Sequence, residues 1–447
     1  MPLTDATLTA IAGLHPPPFY CYDAQMIRDR YRLLRDGLPG AAEIYYSAKA
    51  NPSLSVLRLF QAEGAGAEVS SLSEYRLARQ AGMHPDRILV VGPGKSDREI
   101  GEAVGDGVQL IVAESLAECH RISAAASLAG RRQRVALRIN PSFSVSDVRH
   151  KMSGVASQFG IDDAQIGAVA PVVDSLPGVD LVGIQVYLGA RVLDHADIVA
   201  TIAQTLKLGD QFGALIGRPL GVVDVGGGFG IPLFEGEPEL QIVPLLDQLN
   251  RLITAHCAAR PGLRVFFEIG RYLVAPAGVF VTRVRDTKAC KGKRFAICDG
   301  GANMHCSAAG YGNPERRNWP IRRVGGRGDA EEDGTREEVT VAGPLCTPID
   351  TLAVDALLPR LRPGDLLRID QSGAYGPTHS PVYFLGHGFP AELMLDNGAL
   401  AVVRAADTVE DLLSKHVHKL IGRVDGDGAA AQTRPAPAGR RQGAPAQ

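Results

Sequence analysis

Short apolar runs alternate with amphipathic stretches along the chain as far as Gly270. The runs are rich in β-branched and aromatic residues, as buried strands are. We predict eight such strands, at Ile44–Ser47, Ala67–Ser70, Ile88–Val91, Leu110–Val112, Val135–Ile139, Leu181–Val186, Val222–Val225 and Val265–Glu268. Helical periodicity lies between them, at Leu72–Ala81, Asp97–Val104, Ser115–Leu128, Ile198–Phe212 and Ile242–His256. Strands alternating with helices over about 250 residues favour a closed parallel (β/α)8 barrel of the TIM type over an open doubly wound sheet.

The pattern changes after Gly270, where strand-like runs continue without long helices between them. These runs are Ala277–Val284, Arg294–Asp299, Glu338–Val341, Leu366–Ile369 and Ala391–Met394. We therefore predict an α/β fold in which residues 24–275 form the barrel, while residues 1–23 and 276–422 form a mostly β domain. The Ala-, Pro- and Gln-rich tail at 423–447 is expected to be disordered. The Gly- and Arg-rich stretch at 322–336 is expected to be an exposed insertion, whose role is left open.

Composition narrows the class of protein. A chain of 447 residues is long enough for two domains. The formal net charge of -2 and the lack of a basic run argue against nucleic acid as a partner. The seven cysteines form no C-x-x-C pair, so we expect reduced thiols and no metal site. Neither a signal-peptide pattern nor an apolar run of roughly 18 residues is present, so we expect a cytoplasmic protein with no membrane partner.

Lys49 stands where the first predicted barrel strand gives way to a helix. Tyr45–Ser47 ends the strand, and Pro52 lies near the first turn of the helix. A lysine at the carboxyl end of a barrel strand is costly to desolvate, so we expect its ammonium to lose its proton readily, as a Schiff-base amine must. Position alone does not distinguish Lys49 from a solvated surface lysine.

Two further motifs end the last two predicted barrel strands. Gly226–Gly228 lets backbone N–H groups approach an anion closely, and the loop after the seventh strand of a barrel is a usual phosphate site. Glu268 ends the next strand and is followed by Gly270 and Arg271, although Glu268 and Arg271 could instead form a surface ion pair. With Lys49, these motifs indicate a pyridoxal phosphate site. Glu268 would hold the proton on the pyridine nitrogen, and Arg271 would lie near the phosphate or the substrate carboxylate.

Several short segments are more specific in combination than any of them is alone. They are Ser47–Pro52, Gly226–Gly228, Glu268–Arg271, Asp299–Gly301, Gly343–Asp350 and Gly373–Tyr375. In this order they resemble the ornithine/diaminopimelate/arginine decarboxylase family, over roughly Pro18 to Arg404. Members of that family depend on pyridoxal 5'-phosphate and have an alanine-racemase-like barrel, and the resemblance implies both for this chain.

The resemblance also implies roles for individual residues. Lys49 would form the Schiff base with the cofactor, and Glu268 would take part in catalysis. The other cofactor-binding residues would be Gly227, Gly228, Gly270, Arg271 and Tyr375, most of them around the phosphate.

The family further implies a homodimer with shared active sites. Cys346 and Asp350 of one chain would meet Lys49 of the other at a head-to-tail interface. In such enzymes the cysteine is the catalytic acid that returns a proton to the α-carbon after carbon dioxide leaves; a buried structural thiol is the alternative for Cys346. We expect the substrate to contact Arg271, Cys346, Thr347, Asp350 and Tyr375.

Other positions match the family loosely or depart from it. Glu68 stands where the family usually has Asp, and we expect it near the cofactor. Tyr187 replaces a histidine that stacks on the cofactor ring, a role open to another aromatic ring. Ala190 replaces a Ser or Thr and cannot donate a hydroxyl to the phosphate. The segment that begins at His150 resembles a family loop, although a solvated loop histidine is an equal alternative there.

Thr347 is the most informative departure. Diaminopimelate decarboxylases usually carry Glu after the cysteine, which reads the distal amino group, and ornithine decarboxylases usually carry Asp. Thr347 offers no charge to a distal ammonium. Together with Gly92–Lys95, the Cys-Thr-Pro motif resembles the branches of the family found in siderophore, antibiotic and exopolysaccharide pathways, whose substrates include citryl-linked and carrier-protein-linked amino acids.

We therefore predict a pyridoxal-phosphate-dependent carboxy-lyase. It would remove the α-carboxylate of an amino acid or an amino-acid conjugate, either free or bound to a carrier, in a biosynthetic pathway. Three alternatives are open: a diaminopimelate decarboxylase that makes lysine, an amino-acid racemase on the same fold, and a non-catalytic member of the family. The distal part of the substrate is not revealed by the sequence.

Overall fold

The computed structural model describes residues 2–143, 150–151, 156–187, 189–311, 317–325, 336–417, 422–424 and 430–432. It divides into two units, Met1–Ala406 and Asp407–Gln447. Most of the predicted insertion at 322–336, most of the predicted tail at 423–447 and the side chain of His150 lie outside what the structure describes.

Strands and helices alternate through the first half of the first unit, and strands predominate after it. The described strands of this unit are β1 Phe19–Asp23, β2 Ala42–Ser47, β3 Gly66–Val69, β4 Ile88–Val90, β5 Leu110–Ala113, β6 Gln133–Asn140, β7 His150–Lys151, β8 Ile161–Asp162, β9 Val179–Gln185, β10 Gly189–Ala190, β11 Val222–Asp224, β12 Arg264–Ile269, β13 Gly278–Cys290, β14 Lys293–Cys298, β15 Ile321–Arg323, β16 Arg336–Ala342, β17 Thr351–Pro359, β18 Leu366–Ile369, β19 Ala391–Asp396 and β20 Ala399–Arg404. Its described helices are α1 Asp5–Leu14, α2 Ala24–Gly37, α3 Leu54–Ala62, α4 Leu72–Gln80, α5 Asp97–Asp106, α6 Leu116–Leu128, α7 Ile166–Asp174, α8 His195–Leu215, α9 Ile242–Ala258 and α10 Arg271–Val274. The second unit contains α11 Val409–Leu413 and the antiparallel pair β21 Gly422–Val424 and β22 Ala430–Gln432.

A closed barrel of parallel strands follows the N-terminal segment. Going round it, the order is β5, β4, β3, β2, β12, β11, β9 and β6, and β6 pairs again with β5. The pairs Ala42 with Val265 and Ile111 with Val135 show the register on opposite sides of the ring. Each of the eight predicted strands lies in this barrel, so the prediction of a TIM-like fold is confirmed.

A second, mostly β sheet is built around β13. Its order is β17, β16, β14, β13, β1, β19 and β20, and β18 and β15 join it beside β13. Strand β1 pairs antiparallel with β13 and parallel with β19, so the N-terminal strand belongs to this sheet. The mostly β second part is therefore confirmed, while the division at residues 24 and 275 stays a prediction.

Several elements were not predicted. Helix α1 buries Leu8 and Ile11 against β1, although the Pro-rich N-terminal segment gives no helix signal. Strand β17 has a bulge in its pairing with β16 and a positive φ of 48° at Asp355, which break the two-residue alternation expected of a strand. Within the described ranges, no helix is both long and apolar enough to cross a membrane.

The barrel interior changes from apolar to polar along its axis. Every second side chain of a strand faces inward, so residues two apart share the interior. One buried layer contains Tyr45, Leu89, Leu110, Ala136, Val222 and Phe266. Nearer the carboxyl ends, the buried side chains of the same strands and the residues just after them are Ser47, Glu68, Glu114, Arg138, Gln185, Asp224 and Glu268. Polar chemistry is therefore concentrated at one end of the barrel.

Candidate active site

A narrow cavity opens at this polar end. The predicted site residues that line it are Lys49, Tyr187, Gly228, Glu268, Gly270, Arg271 and Tyr375. Ser47, Ala190, Arg191, Phe229 and Ile269 complete the lining. Tyr375 comes from the loop after β18, and the other lining residues come from the barrel. The site therefore lies where the barrel meets the second sheet.

The turn that carries Lys49 is fixed by hydrogen bonds to that loop. Strand β2 ends at Ser47, and Ala48–Ala50 forms one turn of 3-10 helix. The Tyr375 N–H donates to the Ala50 carbonyl at 2.7 Å, and Asn51 Nδ2 donates to the Gly373 carbonyl at 3.1 Å. The position of Lys49 thus depends on contacts between the two parts of the unit.

Lys49 is ion-paired with Glu68 at the end of β3. Its Nζ lies 3.0 Å from both Glu68 carboxylate oxygens, and Ser70 Oγ donates to Oε1 at 3.1 Å. The Glu68 side chain is fully buried, whereas 39% of the Lys49 side chain is exposed. Burial lowers the pKa of Lys49, but the Glu68 and Glu268 carboxylates raise it more, and the net shift is upward. The expectation that Lys49 readily loses its proton is therefore wrong for this arrangement, because two neighbouring carboxylates stabilise the ammonium.

The glycine loop after β11 has unused backbone donors. Among the hydrogen bonds between described residues, none is donated by the N–H of Gly227 or Gly228. A Cβ at Gly227 would collide with the Glu268 carbonyl, and Gly228 has a φ of 98°, which L side chains rarely adopt. The neighbouring strand segment is tied to this loop, since the Val192 N–H donates to the Gly228 carbonyl at 2.9 Å. Two free N–H groups in so close an approach suit a phosphate.

Arg271 and Tyr375 lie together on the wall of the cavity. The guanidinium carbon of Arg271 is 4.4 Å from the centre of the Tyr375 ring. Arg271 forms no ion pair with any residue that the structure describes. Burial lowers its pKa, against the opposing effect of Tyr375 and Tyr187. The alternative of a surface ion pair between Glu268 and Arg271 is therefore absent from the described structure, where Arg271 has no carboxylate partner.

Glu268 is buried inside the barrel at the carboxyl end of β12. Gln185 Nε2 donates to its two carboxylate oxygens at 3.3 and 3.4 Å. Burial and the Glu68 carboxylate raise the pKa of Glu268 to about 7, against the opposing effect of Lys49 and Arg138. Glu268 is thus a carboxyl group shielded from solvent, where it can bind a protonated ring nitrogen.

Tyr187 and Ala190 lie on the side of the cavity formed after β9. The Lys49 Nζ is 5.9 Å from the centre of the Tyr187 ring, so an aromatic face lies close to the lysine. Arg191 follows Ala190 with a positive φ of 65°, and its guanidinium is ion-paired with Glu237 at 3.0 Å. The departures noted in the sequence therefore border the cavity itself.

Cys346, Thr347 and Asp350 do not line this cavity. They lie in the loop between β16 and β17, where Cys346 is exposed and Asp350 is buried. The two carboxylate oxygens of Asp350 accept hydrogen bonds from the N–H groups of Ala302 and Leu345, each at 2.6 Å. Asp350 thereby fixes the loop that presents Cys346, and the alternative of a buried structural thiol is wrong for Cys346.

Three buried residues near the site were not predicted. Asp224, Gln185 and Arg138 each lie two positions beyond an interior residue of their strand. Arg138 is ion-paired with Glu114 at 2.9 Å. The signal that identifies them is the two-residue alternation of the strands: a polar residue on the inward face of a barrel strand, near its carboxyl end, must have a buried partner.

The described groups fit pyridoxal phosphate. A lysine beside an aromatic ring, a buried carboxyl group, two free glycine N–H groups and an unpaired guanidinium match its aldehyde, pyridine nitrogen and phosphate. A family model for the pyridoxal-binding domain of pyridoxal-dependent decarboxylases matches residues 24–275. The chain belongs to this family.

Curated relatives of the family cover almost the whole chain. The L-glutamyl-[BtrI acyl-carrier protein] decarboxylase of Niallia circulans is 39% identical over 417 residues, which are 93% of this chain and 97% of the relative. The diaminopimelate decarboxylase of Methanothermobacter thermautotrophicus is 30% identical over 416 residues, 91% of this chain and 93% of the relative. Among solved structures, diaminopimelate decarboxylase from Helicobacter pylori complexed with L-lysine has a TM-score of 0.80 and 28% identity, covering 91% of this chain and 98% of that one.

These similarities confirm three predictions. The fold is the barrel of these decarboxylases, the cofactor is pyridoxal phosphate, and the protein is a decarboxylase. When bound, the cofactor supplies an electron sink for the electron pair that the α-carboxylate leaves behind as it departs as carbon dioxide.

Replacing Glu68 tests the electrostatic control of Lys49. In Glu68→Gln the carboxylate that stabilises the ammonium is removed, so the pKa of Lys49 falls and more of the amine is neutral at a given pH. We expect the pH profile for the rate of pyridoxal phosphate attachment, followed by its visible absorbance, to move to lower pH. At pH values below the pKa of Lys49 in the parent protein, the rate of attachment should rise about tenfold for each unit by which that pKa falls. Glu63→Gln, which removes a surface carboxylate paired with Arg32, is the matched control; a profile shared by the two variants would contradict the assignment.

Restoring a hydroxyl at position 190 tests the side of the cavity that departs from the family. Ala190→Ser adds a donor toward the glycine loop, so we expect pyridoxal phosphate to bind about two- to tenfold more tightly, as one further hydrogen bond allows. Pyridoxal, which lacks the phosphate, should bind no more tightly than to the parent protein. Ala124→Ser on the exposed face of α6 serves as the control. An equal gain for both ligands would show that the hydroxyl does not reach the phosphate.

Proposed function

We propose that the protein decarboxylates an amino acid whose distal carboxyl group is joined to a carrier, with a glutamyl thioester on a carrier protein as the best candidate. The supporting observation is the charge of the cavity. Glu268 is the single acidic residue of its described lining, which also contains Lys49, Arg191 and Arg271. Such a lining suits a phosphate and an α-carboxylate, and Thr347, which we place beside the distal part of the substrate, supplies no carboxylate for a distal ammonium. A thioester has no distal charge to satisfy, and the 39% identical relative is named for that substrate.

We assign the cofactor contacts from this geometry. Lys49 would attach the cofactor, Tyr187 would stack on its ring, and Glu268 would bind the pyridine nitrogen. Glu68 would position Lys49 through the ion pair. Gly227, Gly228, Gly270, Arg271 and Tyr375 would surround the phosphate. Arg271 and Tyr375 would also contact the substrate.

We further propose that a second copy of the chain completes the site. The Cys346 loop is exposed, and its neighbour Ile349 leaves 48% of its surface to solvent. The apolar run Tyr383–Leu385 is also exposed, at 46% to 61%. His387, just beyond it, is close enough to Asp350 to lower the pKa of that carboxyl, against the larger upward effect of burial. One surface thus carries exposed apolar side chains together with Cys346, as a homodimer interface would.

In that dimer the loop between β16 and β17 would face the cavity of the partner subunit. Cys346 would donate the thiol proton to the α-carbon after carbon dioxide leaves, and Thr347 and Asp350 would lie beside the distal part of the substrate. The exclusion of water around the α-carbon would then depend on association of the two chains.

Other activities of the family are the alternatives that the experiments below distinguish. The 30% identical diaminopimelate decarboxylase acts on a substrate with a distal ammonium, for which Thr347 supplies no charge. A racemase would need a second acid on the opposite face, whereas the Cys346 motif belongs to decarboxylases. A non-catalytic member would have lost cofactor residues, whereas Lys49, Glu268 and Arg271 are all present in one cavity.

Carbon dioxide release decides the substrate class. With added pyridoxal phosphate, we expect release from an L-glutamyl carrier-protein thioester and at least about a hundredfold less from meso-diaminopimelate, lysine, ornithine, arginine or free glutamate, because an unpaired charge in the distal pocket costs about 2–3 kcal/mol or more. Lys49→Ala is the control for cofactor-dependent turnover. Brisk release from meso-diaminopimelate would overturn the proposal.

Thr347→Glu is the matched variant for that experiment. The added carboxylate should lower turnover of the thioester and raise release from meso-diaminopimelate, since it can pair with the distal ammonium. The substitution is on an exposed loop, so the folded state should be retained. No change in the ratio of the two activities would show that position 347 does not face the substrate.

Mixing two inactive variants tests the shared site. Lys49→Ala and Cys346→Ala should each be inactive as homodimers. After subunit exchange, about half of the dimers pair one of each and have one intact site out of two, so activity should return to about a quarter of the parent value. Native mass spectrometry of the mixture, with one variant isotope-labelled, checks that exchange occurs. Failure to recover activity despite demonstrated exchange would place Lys49 and Cys346 in the same chain's site.

A further inference from the structure

Asp224 ends β11 inside the barrel and is fully buried. Its Oδ1 accepts a hydrogen bond from the Gly226 N–H at 2.9 Å. Its Oδ2 is buried and has no hydrogen-bond donor among the described residues. A buried carboxylate oxygen without a donor is costly, so the group needs either a cation or a proton of its own.

The carboxyl group of Glu268 lies next to Asp224 inside the barrel. Strands β11 and β12 are adjacent and parallel, with Asp224 paired to Phe266. Asp224 and Glu268 both lie two residues beyond interior positions of their strands, Val222 and Phe266, so both face the barrel axis. The two carboxyl groups are within hydrogen-bonding reach of each other. Two acceptors can be joined in this way only if one of them carries a proton.

The surrounding charges decide which carboxyl group is protonated. Glu268 is stabilised as an anion by Lys49 and Arg138, and Gln185 Nε2 donates to it. Among the described residues, no cation is one of the groups that act most strongly on Asp224; besides Glu268, the charge of Glu68 acts on it, and Asp224 in turn acts on the Tyr45 hydroxyl. Burial and the Glu268 carboxyl also raise the pKa of Asp224 well above its ordinary value. The proton therefore belongs on Asp224.

We propose that Asp224 is a positioning residue that remains a neutral carboxylic acid and donates a hydrogen bond from Oδ2 to Glu268. This rests on the proposed role of Glu268 at the pyridine nitrogen. The donor would hold Glu268 ionised and correctly turned, and the pair would present one negative charge to the protonated ring rather than two or none. The neutral acid also makes it possible to bury two carboxyl groups side by side next to Glu68.

Infrared spectroscopy of the cofactor-loaded protein tests the protonation directly. We expect a carbonyl stretch of a protonated buried carboxylic acid at neutral and mildly alkaline pH. It should disappear in Asp224→Asn and persist in Glu268→Gln. A band that is lost in Glu268→Gln but kept in Asp224→Asn would move the proton to Glu268, and no such band in the parent protein would mean that both groups are ionised. Either result would overturn the proposal, and neither depends on the substrate.

Cofactor affinity separates positioning from packing. Asp224→Asn keeps a donor of the same shape, so its affinity for pyridoxal phosphate should stay within about twofold of the parent value. Asp224→Ala removes the donor, and affinity should fall about tenfold, as the loss of a hydrogen bond to a charged group predicts. The low-pH limit of cofactor binding should also move to higher pH in Asp224→Ala, because Glu268 without its donor takes up a proton more readily. Equal losses in both variants would show that Asp224 is not a donor, whereas a parent protein that binds no cofactor would instead refute the proposed function.

Discussion

The change from apolar to charged residues inside a closed barrel is the constraint on which the site depends. In a parallel barrel every strand points its carboxyl end the same way, so a polar residue added two positions beyond the apolar layer of each strand creates one ring of buried polar groups. Burying charges separately would be prohibitive. The ring is tolerated because its members are paired: Lys49 with Glu68, Arg138 with Glu114, and Glu268 with Gln185. The same pairings place a lysine and a carboxyl group at fixed positions across the cavity.

The second sheet is needed for this arrangement even though it contributes little to the lining. Its loop after β18 donates a hydrogen bond to Ala50 and accepts one from Asn51, the two residues that directly follow Lys49. Tyr375 in that loop has a positive φ of 53°, a conformation that costs energy for a residue with a side chain. The strained residue is the one that donates to Ala50 and packs on Arg271. Contacts between barrel and sheet therefore fix Lys49 and Arg271 together.

The barrel was predictable from the sequence because its strands are buried on both faces. Runs such as Val222–Val225 and Val265–Glu268 are short and apolar. Glycine or a charged residue marks where each of them ends, so the strand ends can be read from the sequence. Lys49, Glu268 and Arg271 could also be predicted, since each lies at or just after the end of such a run. Helix α1 could not be predicted, because Leu8 packs against residues distant in the chain, such as Leu393. Strand β17 could not be, because the bulge at Asp355 breaks its two-residue alternation. Asp224 lies just before the glycine motif, and the phosphate binding predicted for that motif gave no reason to single it out.

The raised pKa of Lys49 shows why position alone did not predict its chemistry. Desolvation by itself would favour a neutral amine, but the buried Glu68 partner reverses that effect. A lysine held as an ammonium next to a carboxylate keeps its charge until a ligand changes the charges around the buried polar groups of the barrel. The bound phosphate and ring nitrogen bring their own charges to the same cavity, so Glu68, Glu268 and Asp224 must be considered as one set of coupled groups. Thr347 is separate from this set, because it lies on an exposed loop and does not line the cavity of its own chain. The groups that fit the cofactor therefore lie mostly in the barrel, whereas the loop that carries Cys346 and Thr347 belongs to the second sheet.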